Sequence, residues 1–282
     1  MTDFKKLFSG KRVLIWGLGL HGGGLGAALF FAMYGARVTV TDLATKETLA
    51  PIIKKLSKYK DIRYVLGEHR EEDFINADII IRNPAIKDDN PYLLLAKKRR
   101  IQVENDIGLF FQYSPAFSIG ITGSKGKSTL TQLVYELINQ EIKKSRNQKN
   151  KNSNHKSTIC DLQSFNSVLL GGNIRVSVFD ALEKADSKSI VVLELSSFQL
   201  DHAFYAKKSP QIAIITNIYD EHINYHGNRQ NYEEAKKNIL RFQEKNDIAL
   251  LSESVRSWKK ETKAKTFFID GTTRDGLFKF AE

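Results

Sequence analysis

The chain has 282 residues, 41% of them hydrophobic and 27% charged, with a formal net charge of +11 and a single cysteine, Cys160. No apolar run approaches the roughly 20 residues of a membrane span, and the N-terminus lacks the apolar stretch and cleavage site of a secretory signal; a cytoplasmic protein without a membrane partner is expected. One cysteine excludes an internal disulfide, and the length predicts two cores rather than one.

From Lys11 the sequence alternates short β-branched runs with longer amphipathic segments. The runs RVLIWG, ARVTVTD, IRYVLG, ADIIIR and IQVE predict βαβ units and a parallel sheet. The first turn holds Gly17, Gly19 and Gly22 in G-x-G-x-x-G spacing, after a strand and before a helix, and Asp42 ends the next strand 20 residues beyond Gly22. Glycines so placed let backbone N–H groups approach a diphosphate, and the acidic residue sits where a ribose hydroxyl is usually met. The loop leaves open whether the ligand is NAD, FAD or a UDP-sugar. Close packing of helix on strand is the alternative use of the glycines, and it covers Gly23, Gly24 and Gly26 better.

A join is expected near Tyr113 to Pro115, giving an N-terminal Rossmann-like domain over residues 1–113 and a second α/β domain over 114–282. The second series of runs is FSIGIT, SVLLGG, SIVVLEL, QIAIITN, DIALLS and KTFFI. FSIGITGSKGKSTLTQLVYELI reads as strand, phosphate loop and helix. Gly123, Ser124, Lys125, Gly126, Lys127, Ser128 and Thr129 would wrap ATP phosphates, although Ile121 stands where the usual G-x-x-x-x-G-K-[ST] pattern has its first glycine. Next, Glu141 to Lys156 (EIKKSRNQKNKNSNHK) carries much of the excess charge and almost no apolar residues. A flexible basic insertion over about 141–160 is expected there. Without interleaved aromatic residues it does not suggest a nucleic-acid partner.

Further along, Glu194 closes an apolar run, where a carboxylate is expensive to bury unless it holds something such as Mg2+. Asn217, Asp220, Glu221 and His222 crowd the end of another. Strand ends of this kind form the ligand crevices of open α/β sheets.

Together, TGSKGKST, GGNI (Gly171 to Ile174), ELSSFQL (Glu194 to Leu200), TNIYDEH (Thr216 to His222) and NYEEAK (Asn231 to Lys236) resemble, in order and spacing, the motifs of the Mur ligases. ELSSFQL looks like the signature of the D-glutamate-adding branch. The resemblance implies a Rossmann-like first domain and a phosphate-loop ATPase-type central domain. Its cofactors would be ATP and Mg2+, and its substrates UDP-N-acetylmuramoyl-L-alanine and D-glutamate, joined through an acyl phosphate in peptidoglycan synthesis by a monomer.

Carried onto this chain, the resemblance gives Lys127 the ATP phosphates and Ser128 and Glu194 one magnesium. His222 would help bind a second magnesium. Lys236, 14 residues after His222, falls where these ligases carry a carbamylated lysine, and Asn217 falls on the nucleotide. Leu20, His21, Asp42, Asn83 and Pro84 would hold the UDP moiety, with Asn173, Ser196 and Gln199 toward the rest of the substrate. The chain departs from the family at Ser124-Lys125, Asp220-Glu221, Asn224-Tyr225 and Asn83-Pro84-Ala85. The central domain is also expected to be incomplete at Glu282, with no C-terminal domain, so that this chain alone would bind nucleotide weakly and turn over poorly. Two other readings remain open at this stage: a non-catalytic nucleotide-binding derivative, and an NAD- or FAD-dependent oxidoreductase, which leaves the second loop unexplained.

Overall fold

A computed structural model describes residues 2–19, 23–147, 162–174, 176–203, 206–269 and 279–280. The chain divides into two α/β units, one formed by Met1–Tyr113 with Arg175–Asp180, the other by Ser114–Ile174 with Ala181–Glu282.

In the first unit, β1 (Arg12–Trp16), β2 (Arg37–Asp42), β3 (Arg63–Leu66), β4 (Ile79–Arg82) and β5 (Gln102–Glu104) form a sheet in the order β3-β2-β1-β4-β5, every pair parallel. The chain reverses direction across the sheet at β1, so the β1 and β4 ends flank a crevice of the kind that takes ligands. Helices α1 (Phe4–Phe8), α2 (Gly23–Met33), α3 (Lys46–Lys55), α4 (Glu71–Ile75), α5 (Pro91–Lys98) and α6 (Asp106–Tyr113) complete the unit. Their starts follow local chemistry: the Thr45 side chain accepts from Thr48 N, and Asn90 accepts from Tyr92 N with Pro91 in the first turn. One core layer joins Leu14, Trp16, Phe74, Ile80 and Leu93. Another is aromatic, with Phe4 on Phe30 at 5.0 Å and Phe8 on Phe31 at 4.9 Å. Phe179 enters that layer from residues 175–180, its ring 4.9 Å from Phe30. Nothing in the local pattern of VSVFD sets it apart from its neighbours in sequence.

The second unit holds β6 (Phe117–Thr122), β7 (Ser167–Gly172), β8 (Ser189–Glu194), β9 (Ile212–Ile215), β10 (Ile248–Ser252), β11 (Lys265–Ile269) and β12 (Lys279–Phe280), in the order β12-β11-β10-β9-β6-β8-β7. All pairs are parallel except β11 with the short β12, which returns antiparallel at the edge. Here β6 lies between β8 and β9, with Ile121 opposite Glu194 and Thr122 opposite Ile215. Ile119, Ile121, Ile190, Val192, Ile212 and Ile214 make the core, and every residue of β8 is buried. Helices α7 (Lys127–Asn147), α9 (Ser197–Ala203), α10 (Ile223–His226) and α11 (Arg229–Arg241) connect these strands, together with α8 (Val178–Lys184), whose first three residues belong to the first unit.

The expected insertion over 141–160 is corrected at its start. Helix α7 runs on to Asn147, because Ile142 continues the apolar spacing of Ile138 and is buried in the core, while Lys144 pairs with Glu141. The remainder of that stretch, with Cys160, lies outside the described residues.

Candidate active site

Strand β6 delivers the phosphate loop to the carboxyl edge of the second sheet. Thr216, just past β9, donates from N to Thr122 O at 3.0 Å and from Oγ1 to Lys125 O at 2.8 Å. Asn217 grips the same residue on both sides: Lys125 N donates to its Oδ1 at 2.8 Å, and its Nδ2 donates to Lys125 O at 3.0 Å. Ser124 N donates to Asn217 O, and the Ser124 hydroxyl accepts from Tyr219 N at 2.9 Å. Gly123 has φ +148°, and a Cβ there would stand 2.0 Å from Thr216 Oγ1, so the close approach of the two segments requires glycine. The loop is therefore held by its neighbours before any ligand binds. Lys127 opens α7 and donates to Ser124 O at 2.6 Å, while Ser128 and Thr129 are exposed in the first turn of that helix. Lys125 is exposed, its ammonium 5.7 Å from the Tyr219 ring centre.

Helix α11 places Lys236 beneath this loop. It is 1% exposed, and its Nζ donates to Gly123 O at 2.9 Å and to Thr122 Oγ1 at 3.1 Å. Burial, and then the neighbouring Lys127 charge, lower its pKa to about 7 against the weaker opposite pull of Glu221 and Glu194. Tyr232, one helical turn earlier, puts its ring 4.9 Å from that Nζ and shares a 2.8 Å hydrogen bond with the Ser124 hydroxyl. The sequence reading missed Tyr232, yet its spacing of four from Lys236 on a helix is the signal that places both on one face.

Glu194 is the last residue of β8. Its Oε1 accepts from Asn173 Nδ2 at 2.8 Å, whereas its buried Oε2 has no hydrogen-bond partner among the described residues. Asn173, expected to lie toward the substrate, thus orients the carboxylate. Ser196 and Gln199 form a reciprocal cap at the start of α9: Gln199 N donates to Ser196 Oγ, and Ser196 N to Gln199 Oε1, each at 3.2 Å. Within ELSSFQL, then, the carboxylate is buried with one oxygen unpaired, and Ser196 and Gln199 after it fix the turn that follows.

His222 has a left-handed backbone (φ 55°) and is exposed, its ring 4.9 Å from Phe198. Behind it lies His226, which the sequence reading did not single out. His226 is buried and hydrogen-bonded through Nε2 to Ser197 Oγ at 3.0 Å. Burial, then the positive charges of His222 and Lys236, lower its pKa to about 4. Between its unfolded value and that figure the unfolded chain binds the proton and the native one does not. Stability therefore falls as pH drops from about 6.5 toward about 4, by at most about 3 kcal/mol. Urea unfolding across that range should show the loss, and His226→Asn should flatten it.

Among the described residues no group of three or more His, Cys, Asp or Glu side chains could hold a metal ion unaided. Magnesium bound with a nucleotide needs only one or two protein oxygens, the remainder coming from phosphate and water. The free Oε2 of Glu194 and the exposed Ser128 hydroxyl suit that need.

In the first unit, Asp42 turns onto the glycine loop itself. Its Oδ2 accepts from Leu18 N at 2.8 Å and Gly19 N at 3.1 Å, and its Oδ1 from Ala44 N. Gly17 (φ +91°) packs against Asn83, where a Cβ would come within 2.9 Å, and Asn83 Oδ1 accepts from Ala85 N across Pro84. Asp42 thus braces the loop's backbone in addition to any ribose contact. Leu20, His21 and Gly22 lie outside the described residues.

Residues 11–105 match the family model of the "Mur ligase MurD-like, N-terminal domain", and residues 121–275 that of the "Mur ligase middle domain". The chain is 37% identical over 244 residues to a UDP-N-acetylmuramoylalanine–D-glutamate ligase of Roseiflexus, covering 86% of this chain and 47% of that protein. Against the proteins so named from Borreliella burgdorferi and Treponema pallidum the identities are 39% and 38%, covering 80% and 89% of this chain and 44% and 45% of theirs. The chain spans less than half the length of these curated relatives. Among solved structures, a UDP-N-acetylmuramate:L-alanyl-gamma-D-glutamyl-meso-diaminopimelate ligase from Neisseria has a similar fold, with TM-score 0.57 at 15% identity over 96% of this chain and 83% of that one.

Proposed function

Because the chain belongs to the Mur ligase family, we propose that it carries the nucleotide- and UDP-binding part of an ATP-dependent ligase that adds D-glutamate to UDP-N-acetylmuramoyl-L-alanine. The observation that carries the reading is the pairing of a pre-formed phosphate loop with Glu194, a buried carboxylate that keeps one oxygen free beside it. Magnesium-bound ATP would supply the phosphoryl group that activates the alanine carboxylate as an acyl phosphate. On the protein side, Gly123 to Thr129 and Asn217 wrap the phosphates and Lys127 offsets their charge. Glu194, Ser128 and His222 offer the metal its protein ligands. The D-glutamate amine then attacks the acyl carbon and phosphate leaves. The first unit holds the UDP group at Gly17, Gly19, Asp42, Asn83 and Pro84, and Leu20, His21 and Gly22 are assigned to the same ligand. Asn173, Ser196 and Gln199 serve the substrate side indirectly, by setting Glu194 and the turn after it.

Lys236 fits carbamylation. With a pKa near 7 its neutral amine attacks carbon dioxide, forms a C–N bond and releases a proton, which replaces a buried cation with an anion next to the metal ligands. Phosphate release by the full-length gene product, given ATP, magnesium and UDP-N-acetylmuramoyl-L-alanine, should depend on D-glutamate and not on L-glutamate, D-alanine or diaminopimelate. Equal release with all four would overturn the assignment of the added amino acid.

A further inference from the structure

We infer that His69 is a positioning residue for the ligand site of the first unit: neutral, with its proton on Nδ1, it clamps the ends of β1 and β2 that carry the glycine loop, and protonation releases them. The inference rests on the reading of that loop as a diphosphate site.

Trp16 Nε1 donates to His69 Nε2 at 3.2 Å. An indole nitrogen can only donate, so Nε2 must keep its lone pair and the ring proton must sit on Nδ1. From there it reaches Thr41 Oγ1 at 2.7 Å, and the threonine hydroxyl passes its own proton toward Glu68 O at 3.3 Å. Trp16 and Thr41 are register partners across β1 and β2. Each is the last residue before a working part of the site: Trp16 precedes Gly17, and Thr41 precedes Asp42, whose carboxylate holds Leu18 N and Gly19 N. Gly17 N also donates to Thr41 O at 2.8 Å. His69 thus ties together the two residues whose spacing sets the loop against its carboxylate.

The surroundings make this tie sensitive to a proton. Trp16 is 1% exposed, and the imidazole is enclosed edge-on by Trp16, Phe74 and Tyr92, the Tyr92 hydroxyl donating to His69 O. Among the described residues, the charged or titratable groups around it are Asp42 from β2, Tyr92 from α5, and Glu68 and Arg70 beside it, which pair with each other. Asp42 favours the imidazolium, but burial outweighs it and lowers the His69 pKa below the ordinary histidine value. A proton added at Nε2 would set two N–H groups against each other and leave a buried indole donor unsatisfied.

The test uses the whole chain with UDP-N-acetylglucosamine as probe, because its bridging diphosphate keeps its charge across the range. The indole resonance of Trp16 should shift with one protonation below about pH 6.5 while that of Trp258 stays fixed, and His69→Gln, which keeps an acceptor but cannot titrate, should abolish the shift. From its value at about pH 8, probe affinity should fall progressively below about pH 6.5 in the parent, by less than about tenfold at about pH 5.5, and should stay flat in the glutamine variant. His69→Phe should bind about tenfold more weakly at both pH values. A Trp16 resonance that does not titrate, or a parent and glutamine variant with the same pH profile, overturns the clamp. No probe binding at about pH 8, with Trp16 still titrating, overturns instead the diphosphate reading on which the ligand role depends.

Discussion

Replacing Lys127 with alanine is expected to weaken ATP binding to the chain about a hundredfold, with no change in its circular dichroism. The loop around it is held by Thr216, Asn217, Tyr219 and Tyr232, none of which uses the lysine side chain. The variant therefore keeps the cradle and loses the charge. What the lysine gives up within the protein is one hydrogen bond to Ser124 O. What it loses toward a polyphosphate is a charge-assisted contact at a helix N-terminus, a far stronger interaction. Lys127→Met, which keeps the apolar stem, should behave like the alanine variant. Affinity within threefold of the parent in calorimetry would remove Lys127 from the phosphate site.

Lys236 should be still less tolerant of change. Both Lys236→Ala and Lys236→Arg are expected to lower phosphate release by the full-length gene product at least about a thousandfold. Arginine is the informative variant. It keeps a positive charge but stays protonated near neutrality and cannot take up carbon dioxide. If Lys236 works as an ammonium, arginine should rescue; if it works as a carbamate, arginine should fail as alanine does. The pKa of about 7 also fixes the direction of the pH effect, since the nucleophilic amine predominates above that value and the ammonium below it. Native mass spectrometry in bicarbonate should find the chain heavier by one carbon dioxide at alkaline pH, and the added mass should disappear below about pH 7 and in both variants.

Much of the fold was legible because it is local. Eleven apolar runs named from the sequence became eleven parallel strands among the described residues, since strands of a covered parallel sheet, such as the wholly buried β8 and β9, need little besides apolar residues and a glycine or polar stop. The phosphate loop was legible for the same reason, its conformation being written in Gly123 and Gly126 and in the strand and helix on either side. What sequence could not show is which polar atoms meet across the fold. Asn173 reaches Glu194 across 21 residues, His226 reaches Ser197 across 29, and Tyr232 meets Ser124 across 108. None of these pairs has a local period. The Ser196 and Gln199 cap was readable, since serine followed three residues later by glutamine before a helix is a known pattern, but the family signature it sits in drew the reading toward substrate.

The aromatic layer that receives Phe179 has a practical consequence for anyone cloning pieces of this protein. A gene fragment ending at codon 113 lacks the residues that cover Phe30 and Phe31, and removing a buried phenylalanine costs about 3–5 kcal/mol, a large share of what holds a domain of this size together. Such a fragment should express as an aggregating or partly melted product. A fusion that appends residues 175–180 through a flexible linker supplies the missing plug and should recover a cooperative melt.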